Sequence, residues 1–400
     1  MVSPFLDRQH GTELCVIEQI ERLACQYQWE IHVYSQRITD VKGLQLSGDS
    51  VADPPGGIFW HKVPAIFGPH LLNYLWWFVA NHRQRSHDLH SGKVEPDLIY
   101  APGINCLDAN VVVVHIVFHA FYEHVRRELA LHRNPVRTWP RLLHRRLYYR
   151  LIMLLERKIY SNSRTQLIAV SALVAKQLNT HFRRDDAAVI PNAIDTLRFT
   201  PQTRAAKRNT SRQLFGYTDS DFVALLIGND WKKKGLDALL NALASLKALP
   251  LRALVIGHDD PEIYCPLLHQ LGLRDRVKFE PPSQDVLSFY AAADLYVAPS
   301  LEDAFNLPVV EAMACGLPVI ASSQTGASEL IRDGETGFIL QRPQDHQRLA
   351  ELMRRIFADQ PLRELIGSAA SQEVLLRCTW ENNVEETRKF LEAARHPRTH

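Results

Sequence analysis

The stretch Leu301–Leu340, LEDAFNLPVVEAMACGLPVIASSQTGASELIRDGETGFIL, limits the fold more than any other part of this chain. It follows DLYVAPS (Asp294–Ser300), a short apolar run closed by Pro299 that reads as a buried parallel strand. A short loop leads to Pro308, well placed at a helix start because the amide it lacks has no partner there. The helix PVVEAMAC ends at Gly316, which tolerates a left-handed turn, and GLPVIAS returns as a second strand. Strand, tight loop, short helix and strand put the loop and the helix start at the carboxyl edge of a parallel sheet, where open α/β folds bind ligands.

The residues at that edge describe a ligand. Free amides in the first turn, around Asn306 and Leu307, form an anion site, and Phe305 just before them is counted with the donor-binding residues. Glu311, one turn into the helix, suits a vicinal diol such as a ribose. Asp303 supplies a second acid in the loop. An anion site, a diol acceptor and an adjacent acid suit a sugar nucleotide.

The stretch resembles the donor site of the retaining family 4 glycosyltransferases, whose signature is two glutamates separated by seven residues followed by Ala-Met-Ala-(Cys/Ser)-Gly-x-Pro-Val. Here Glu311 is the second acid, AMACGLPVIAS follows it, and Asp303, with Glu302 before it, stands for the first. The resemblance implies an α/β protein of the GT-B fold, with two Rossmann-like doubly wound domains facing a central cleft. It also implies a sugar-nucleotide co-substrate and no metal or other cofactor.

Four hundred residues exceed one core, and two or three domains are expected. A net charge of +2 points to no polyanionic partner, and the basic stretches lack the interleaved aromatics of a nucleic-acid groove, so nucleic acid is not expected. Six cysteines without CxxC spacing suit a reduced, cytoplasmic chain. No apolar run approaches the ~18 residues of a membrane span, and MVSPFLDRQHGTE has neither the basic nor the apolar region of a signal peptide.

In chain order, VSPFL reads as the end of a strand that residues upstream of Met1 would complete. HGTE reads as a loop, CVIEQIERLACQY as a helix and WEIHVYS as a strand. The resemblance places His10, Gly11 and Glu13 where relatives have a glycine-rich, phosphate-approaching loop. Val51–Pro69 reads as loop. LLNYLWWFVANHRQR is a helix whose Trp76-Trp77-Phe78 packs in the core, and DLIYAP and NVVVVHIVF are strands. By resemblance His115, ending the second of these, faces the transferred sugar, with His119 as its rival. From Arg126 to Lys158 the chain is basic. The helix Leu142–Tyr160 is either a solvated basic face or a peripheral contact with the inner face of an anionic membrane.

QLIAVSALVAKQL is strand then helix, capped by Ser171. AVIPNAIDTLRFTP resembles the family's interdomain linker, with Asn192 and Asp195 kept. The resemblance therefore divides the chain into residues 1–190, which bind acceptor, and 191–378, which bind donor, with a helix over 379–394 returning to the first domain. A polar, Arg-rich connector precedes FVALLIGNDWKKKGLDALLNALASL. There Lys234 before Gly235 matches a diphosphate-gripping lysine, while Asn229 replaces an arginine, a loss that Lys233 or Lys232 is expected to offset. Asp259-Asp260 reads as loop, and RVKFEPPSQDVLSFYAAAD resembles the base-binding segment. ARHPRTH reads as a frayed end.

The catalytic set implied is Lys234 and the Asn306–Leu307 amides stabilising the leaving diphosphate, Asp303 positioning the donor, and His115, with no enzymic nucleophile. The departures at Asp303, Asn229 and the single loop glycine raise an alternative: a sugar-nucleotide-binding protein with weak catalysis. The acceptor stays open.

Overall fold

The computed structural model describes residues 1–8, 11–46, 56–66, 68, 70–126, 129 and 136–395. The chain divides into two units, Met1–Pro191 together with the chain from Trp380, and Asn192–Thr379.

The first unit runs β1 (Phe5–Leu6), α1 (Gly11–Tyr27), β2 (Glu30–Ser35), β3 (Arg37–Ile38), β4 (Leu44–Leu46), β5 (Gly57–Lys62), α2 (His70–His90), β6 (Tyr100–Pro102), β7 (Val111–Val114), α3 (Phe118–Val125), α4 (Trp139–Tyr160), β8 (Gln166–Ala169), α5 (Ala172–Phe182) and β9 (Ala188–Val189). Its registered strand pairs are all parallel, in ladders β1-β3, β2-β5-β4 and β6-β7-β8-β9. Val2 joins them by bridging to Tyr34 on one side and donating its amide to the Tyr100 carbonyl at 3.0 Å on the other. The run Val111–Val114 is wholly buried, as strands covered on both faces must be.

The second unit runs α6 (Pro201–Phe215), β10 (Phe222–Ile227), α7 (Leu236–Ala244), β11 (Leu251–Ile256), α8 (Cys265–Leu271), β12 (Val277–Glu280), α9 (Leu287–Ala292), β13 (Leu295–Ala298), α10 (Leu307–Ala314), β14 (Val319–Ser322), β15 (Phe338–Leu340), α11 (His346–Ala358) and α12 (Gln360–Arg377). Its single parallel sheet has the order β12-β11-β10-β13-β14-β15. The chain winds outward from β10 to β12, then returns to place β13 on the other side of β10. That reversal is a topological switch point, and it lies beside the loops that follow β10 and β13.

After Thr379 the chain re-enters the first unit as α13 (Trp380–Arg395), packed on α1. Gln19 donates to Asn383 Oδ1 at 2.8 Å and the Arg22 guanidinium lies 5.0 Å from the Trp380 ring centre. Asn383 also donates to the Pro191 carbonyl at 2.6 Å.

Four local expectations are corrected. The Gly11–Glu13 part of HGTE is not a loop, since Gly11 is already the first residue of α1 and Glu13 stands in its first turn, where a carboxylate complements the helix dipole. Within Val51–Pro69 lies the strand β5, GIFWHK, which a sequence stop at Pro-Pro-Gly-Gly conceals and which pairs with both β2 and β4. NVVVVHIVF is strand only to Val114, so His119 sits on helix α3 rather than at a strand end. The Arg-rich connector is mostly helix α6. Its Arg204, Arg208 and Arg212 reach the Ala293 carbonyl, Asp294 and the Ala292 carbonyl at 2.8, 2.5 and 3.0 Å. His10, part of the Arg126–Lys158 stretch and the last five residues of the chain lie outside the described residues.

Ser171 caps α5 by accepting from the Val174 amide at 3.2 Å. Trp77 is in the core, whereas Trp76 is half-buried and donates to the Pro64 carbonyl.

Candidate functional site

The loops at the switch point carry the candidate donor residues. After β10 the backbone turns through Gly228 (φ +147°), Asp230 (φ +58°) and Gly235 (φ +82°) before α7 begins. A Cβ on Gly235 would lie 2.0 Å from the Pro299 carbonyl oxygen, so only glycine lets this loop pass the end of β13. That close passage brings Lys234 Nζ to Asp303 Oδ2 at 2.5 Å, with the two side chains 22% and 15% exposed.

Asp303 is held by its backbone as well. Its amide donates to the Gln324 carbonyl, its carbonyl accepts from Gly326, and the Ala327 amide donates to the Phe305 carbonyl. Ser322 Oγ donates to the Ser300 carbonyl at 2.6 Å, completing a buried seam between the loops after β13 and β14. Phe305 is buried and anchors the turn. Asn306 takes the left-handed conformation (φ +71°, ψ +72°) and does not cap α10 with its side chain. Asparagine is among the few residues that adopt this conformation at low cost. Among the described residues the amides of Asn306 and Leu307 have no acceptor, and Pro308 has no amide to compete with them. Asn306 Oδ1 is buried without a hydrogen-bond partner.

Glu311, on α10, accepts from the Tyr290 hydroxyl at 2.5 Å through Oε2, leaving Oε1 for a ligand. Burial raises its pKa, while the Tyr290 bond and the Arg198 charge act in the opposite direction. Tyr290 is buried on α9, the helix that the α6 arginines hold by its carbonyl end. Nothing in FYAAAD marks Tyr290 as part of this site, because the partnership joins residues 21 positions apart. The run AMACGLPVIAS has a packing role: Ala312 to Cys315 are buried, and a Cβ on Gly367 of α12 would lie 2.2 Å from the Gly316 carbonyl.

Two expected phosphate groups are engaged elsewhere. Asn229 Oδ1 accepts from the His258 amide at 3.0 Å, tying its loop to the one after β11. Lys233 Nζ pairs with Asp230 at 2.8 Å. Lys232 is exposed. Asp259 accepts from the Asp230 and Trp231 amides, and Asp260 caps the short turn at Glu262. Both are therefore spent on loop structure.

In the first unit, Gly11 opens α1 at the carboxyl edge of its sheet. His115 follows β7 with its Nε2 buried and, among the described residues, without a hydrogen-bond partner, and burial lowers its pKa to about 4, which keeps the ring neutral. His119 is committed structurally. Its Nδ1 lies 2.6 Å from Glu156 Oε2, and Glu156 also accepts from the Phe118 and His119 amides. A cavity of about 560 Å³ in this unit lies among Met1, Trp29–His32 and Leu98–Tyr100, at the amino-terminal ends of the strands and so away from the ligand-binding edge.

Known proteins share this architecture. Residues 10–198 match the profile described as Glycosyltransferase Family 4, and residues 207–373 match Glycosyl transferases group 1. The lipopolysaccharide glucosyltransferase WaaG of Escherichia coli K12 is 33% identical over 159 residues, 39% of this chain and 42% of that protein. The D-inositol 3-phosphate glycosyltransferase of Rhodococcus erythropolis is 30% identical over 218 residues, 51% of this chain and 48% of that protein. The chain thus spans about half the length of the curated relatives it matches. The crystal structure of WaaG superposes with a TM-score of 0.73 at 21% identity, covering 97% of this chain and 98% of that one. Anabaena HepE in complex with UDP and glucose superposes at 0.69 and 24% identity, covering 97% and 98%. With two adjoining profiles and a shared two-unit architecture, the chain belongs to the group 1 glycosyltransferases of the GT-B fold.

Proposed function

We propose that the chain transfers a sugar from a nucleoside diphosphate to a hydroxyl acceptor with retention of configuration and without a metal, and that UDP-glucose is the donor to test first. The observation that carries this reading is the contact of Lys234 with Asp303 beside the acceptor-less amides of Asn306 and Leu307. The choice of nucleotide and sugar is supported by HepE, solved with UDP-glucose, and by WaaG, a glucosyltransferase by name.

As the glycosidic C–O bond breaks, negative charge grows on the β-phosphate. Lys234 and the start of α10 offer it an ammonium, two amides and a dipole of about half a charge. Glu311 Oε1 accepts from the ribose hydroxyls, and Asp303 accepts from the sugar. The acceptor oxygen forms the new bond on the face the diphosphate leaves, and its proton passes to the departing phosphate oxygen. The neutral His115 hydrogen-bonds a sugar hydroxyl in this scheme.

The test is release of nucleotide from a panel of UDP-, GDP- and ADP-sugars. Slow hydrolysis of UDP-glucose that persists in EDTA is expected. Glu311→Ala should weaken UDP binding by roughly ten- to a hundredfold, because a charged acceptor for a buried diol is lost. UDP binding with no turnover of any donor would favour the weakly catalytic reading, to which the engagement of Asn229 and Lys233 lends support. Activity that returns only with Mn²⁺ or Mg²⁺ would overturn the metal-free scheme.

The acceptor in this reading is membrane-borne. Among the described residues no helix is long and apolar enough to cross a membrane. On α4, however, Trp139, Leu143, Leu147 and Leu154 are all exposed along one stripe, flanked by Arg146, Arg150, Arg157 and Lys158. Exposed leucines set among arginines suit an anionic bilayer. Sedimentation with phosphatidylglycerol vesicles should remove the protein from solution, and Leu143→Glu/Leu147→Glu should leave it there. Equal pelleting of both proteins would end the membrane assignment.

A further inference from the structure

A site that reads a diol with one carboxylate must hold that carboxylate in one orientation and keep it charged. Among the described residues the Glu311 carboxylate has one side-chain partner, the Tyr290 hydroxyl, which donates to Oε2 at 2.5 Å. Tyr290 is itself fixed. It is wholly buried, edge-on to Phe199 with ring centres 5.8 Å apart, and its ring centre is 6.2 Å from that of Tyr296. Arg204 of α6 donates to the Tyr290 carbonyl at 3.2 Å and to the Ala293 carbonyl at 2.8 Å. Arg198, just before α6, donates to the Gln284 carbonyl at 2.6 Å and so ties down the chain entering α9. A phenol held in this way cannot follow the carboxylate, so the carboxylate is oriented by the phenol.

The titratable and charged groups that act on Glu311 are Tyr290 on α9, Tyr296 on β13, Cys315 at the end of α10 and Arg198 before α6. Burial carries both tyrosine hydroxyls well above their ordinary range and pushes the Cys315 thiol up to about 12, so all three stay protonated at neutral pH. Glu311 is the member of this group that gains a proton in acid. Burial raises its pKa, and the Tyr290 hydroxyl, bonded to the charged form, opposes that rise.

We propose that Tyr290 is a positioning residue for the nucleotide: its hydroxyl locks Oε2 of Glu311 so that Oε1 meets the vicinal diol, and the preference of the site for a ribonucleotide depends on that lock. The role rests on the donor reading given above, in which Glu311 takes the ribose. Without the hydroxyl the carboxylate turns freely and takes up a proton at a higher pH. A protonated carboxyl then turns a donor toward hydroxyls that need an acceptor.

The experiment measures equilibrium binding to the full chain of the tightest binder among UDP, GDP and ADP, and of its 2′,3′-dideoxy counterpart, from mildly acidic to mildly alkaline pH. It needs no acceptor and no turnover. The ratio of the two affinities isolates the ribose contact, because both nucleotides carry the same base and the same titrating diphosphate. Tyr290→Phe should shrink that ratio roughly three- to tenfold at alkaline pH, the worth of about one hydrogen bond. Its decline toward acid should also begin at a higher pH than in the unsubstituted protein, as expected of a carboxylate that has lost a donor. Tyr296→Phe is the matched control. It removes an equally buried hydroxyl, 3.5 Å from the Ile227 carbonyl, and should leave the ratio and its pH course unchanged. Glu311→Gln, which cannot ionise, should lower the ratio and abolish its pH course. A ratio and pH course in Tyr290→Phe like those of the unsubstituted protein overturn the proposal. So does an equal loss in Tyr296→Phe, which marks the effect as packing, or a pH course that persists in Glu311→Gln. If the unsubstituted protein binds both nucleotides alike, the ribose assignment of Glu311 falls and the role of Tyr290 falls with it. If it prefers the ribonucleotide and Tyr290→Phe keeps that preference, the donor reading stands and only the role of Tyr290 is lost.

Discussion

Replacing Lys234 by alanine is expected to lower turnover of UDP-glucose by roughly 10²–10³-fold, the usual loss when a preorganised group that stabilises developing charge is removed. The site makes this lysine hard to replace. Its neighbour Lys233 is paired with Asp230, and Asn229 is neutral and bonded to the His258 amide. The α10 dipole answers only about half a charge of the diphosphate. The substitution also strips Asp303 of its partner, leaving a carboxylate 15% exposed where a diphosphate must approach. UDP affinity should therefore fall along with kcat. Adding Asp303→Asn to Lys234→Ala should recover part of the UDP affinity and none of the turnover, because it removes the repulsion without restoring the cation. Isothermal titration with UDP and steady-state rates on the unsubstituted protein and the two variants separate these effects. A Lys234→Ala enzyme with nearly unchanged kcat would show that charge on the leaving group is met elsewhere.

The second large effect concerns the shape of the loop rather than its charge. Gly235→Ala is expected to destabilise the second unit by roughly 2–5 kcal/mol, the sum of a strained left-handed backbone and an overpacked contact. At roughly 2–4 °C per kcal/mol for a unit of this size, the melting temperature should drop by about 4–20 °C, and UDP binding should be lost with it. Gly334→Ala is the matched control. Gly334 has φ +83° against +82° for Gly235, but a Cβ there meets nothing within 4 Å, whereas at Gly235 it would meet the Pro299 carbonyl oxygen at 2.0 Å. The control should cost only the backbone strain, about 1 kcal/mol. Equal melting temperatures for the two variants would mean that the loop after β10 yields freely and does not position Lys234.

The reach of the sequence is clearest at the residues on which these two predictions rest. The punctuation around Leu301–Leu340 shows that a strand, a loop, a short helix and a strand follow one another. The spacing of Asp303 and Glu311 puts one acid in the loop and one on the helix. Those features are local: proline, glycine and apolar periodicity act within a few residues, so a single chain displays them. Locality also explains where the structure departs from the sequence pattern. GIFWHK is too short, and too close to Pro-Pro-Gly-Gly, to stand out as a strand until β2 and β4 pair with it. HGTE has the composition of a loop, but its Gly11–Glu13 form a first helical turn.

The site itself needs contacts that no window of sequence contains. Lys234 meets Asp303 across 69 positions, and Tyr290 fixes Glu311 from a helix with no motif of its own. Asp259 holds the Asp230–Trp231 turn from the loop after another strand, and Glu156 withdraws His119 from candidacy by reaching it from α4. The physical reason is the sheet order. β10 pairs with β13 although β11 and β12 intervene in the chain, so two loops far apart in sequence end side by side at the switch point. The amino-acid sequence by itself determined which groups are present and on which kind of element each one stands. Which of them face a common ligand, and which are spent on holding the loops, was decided only when parallel pairing laid those strands next to one another.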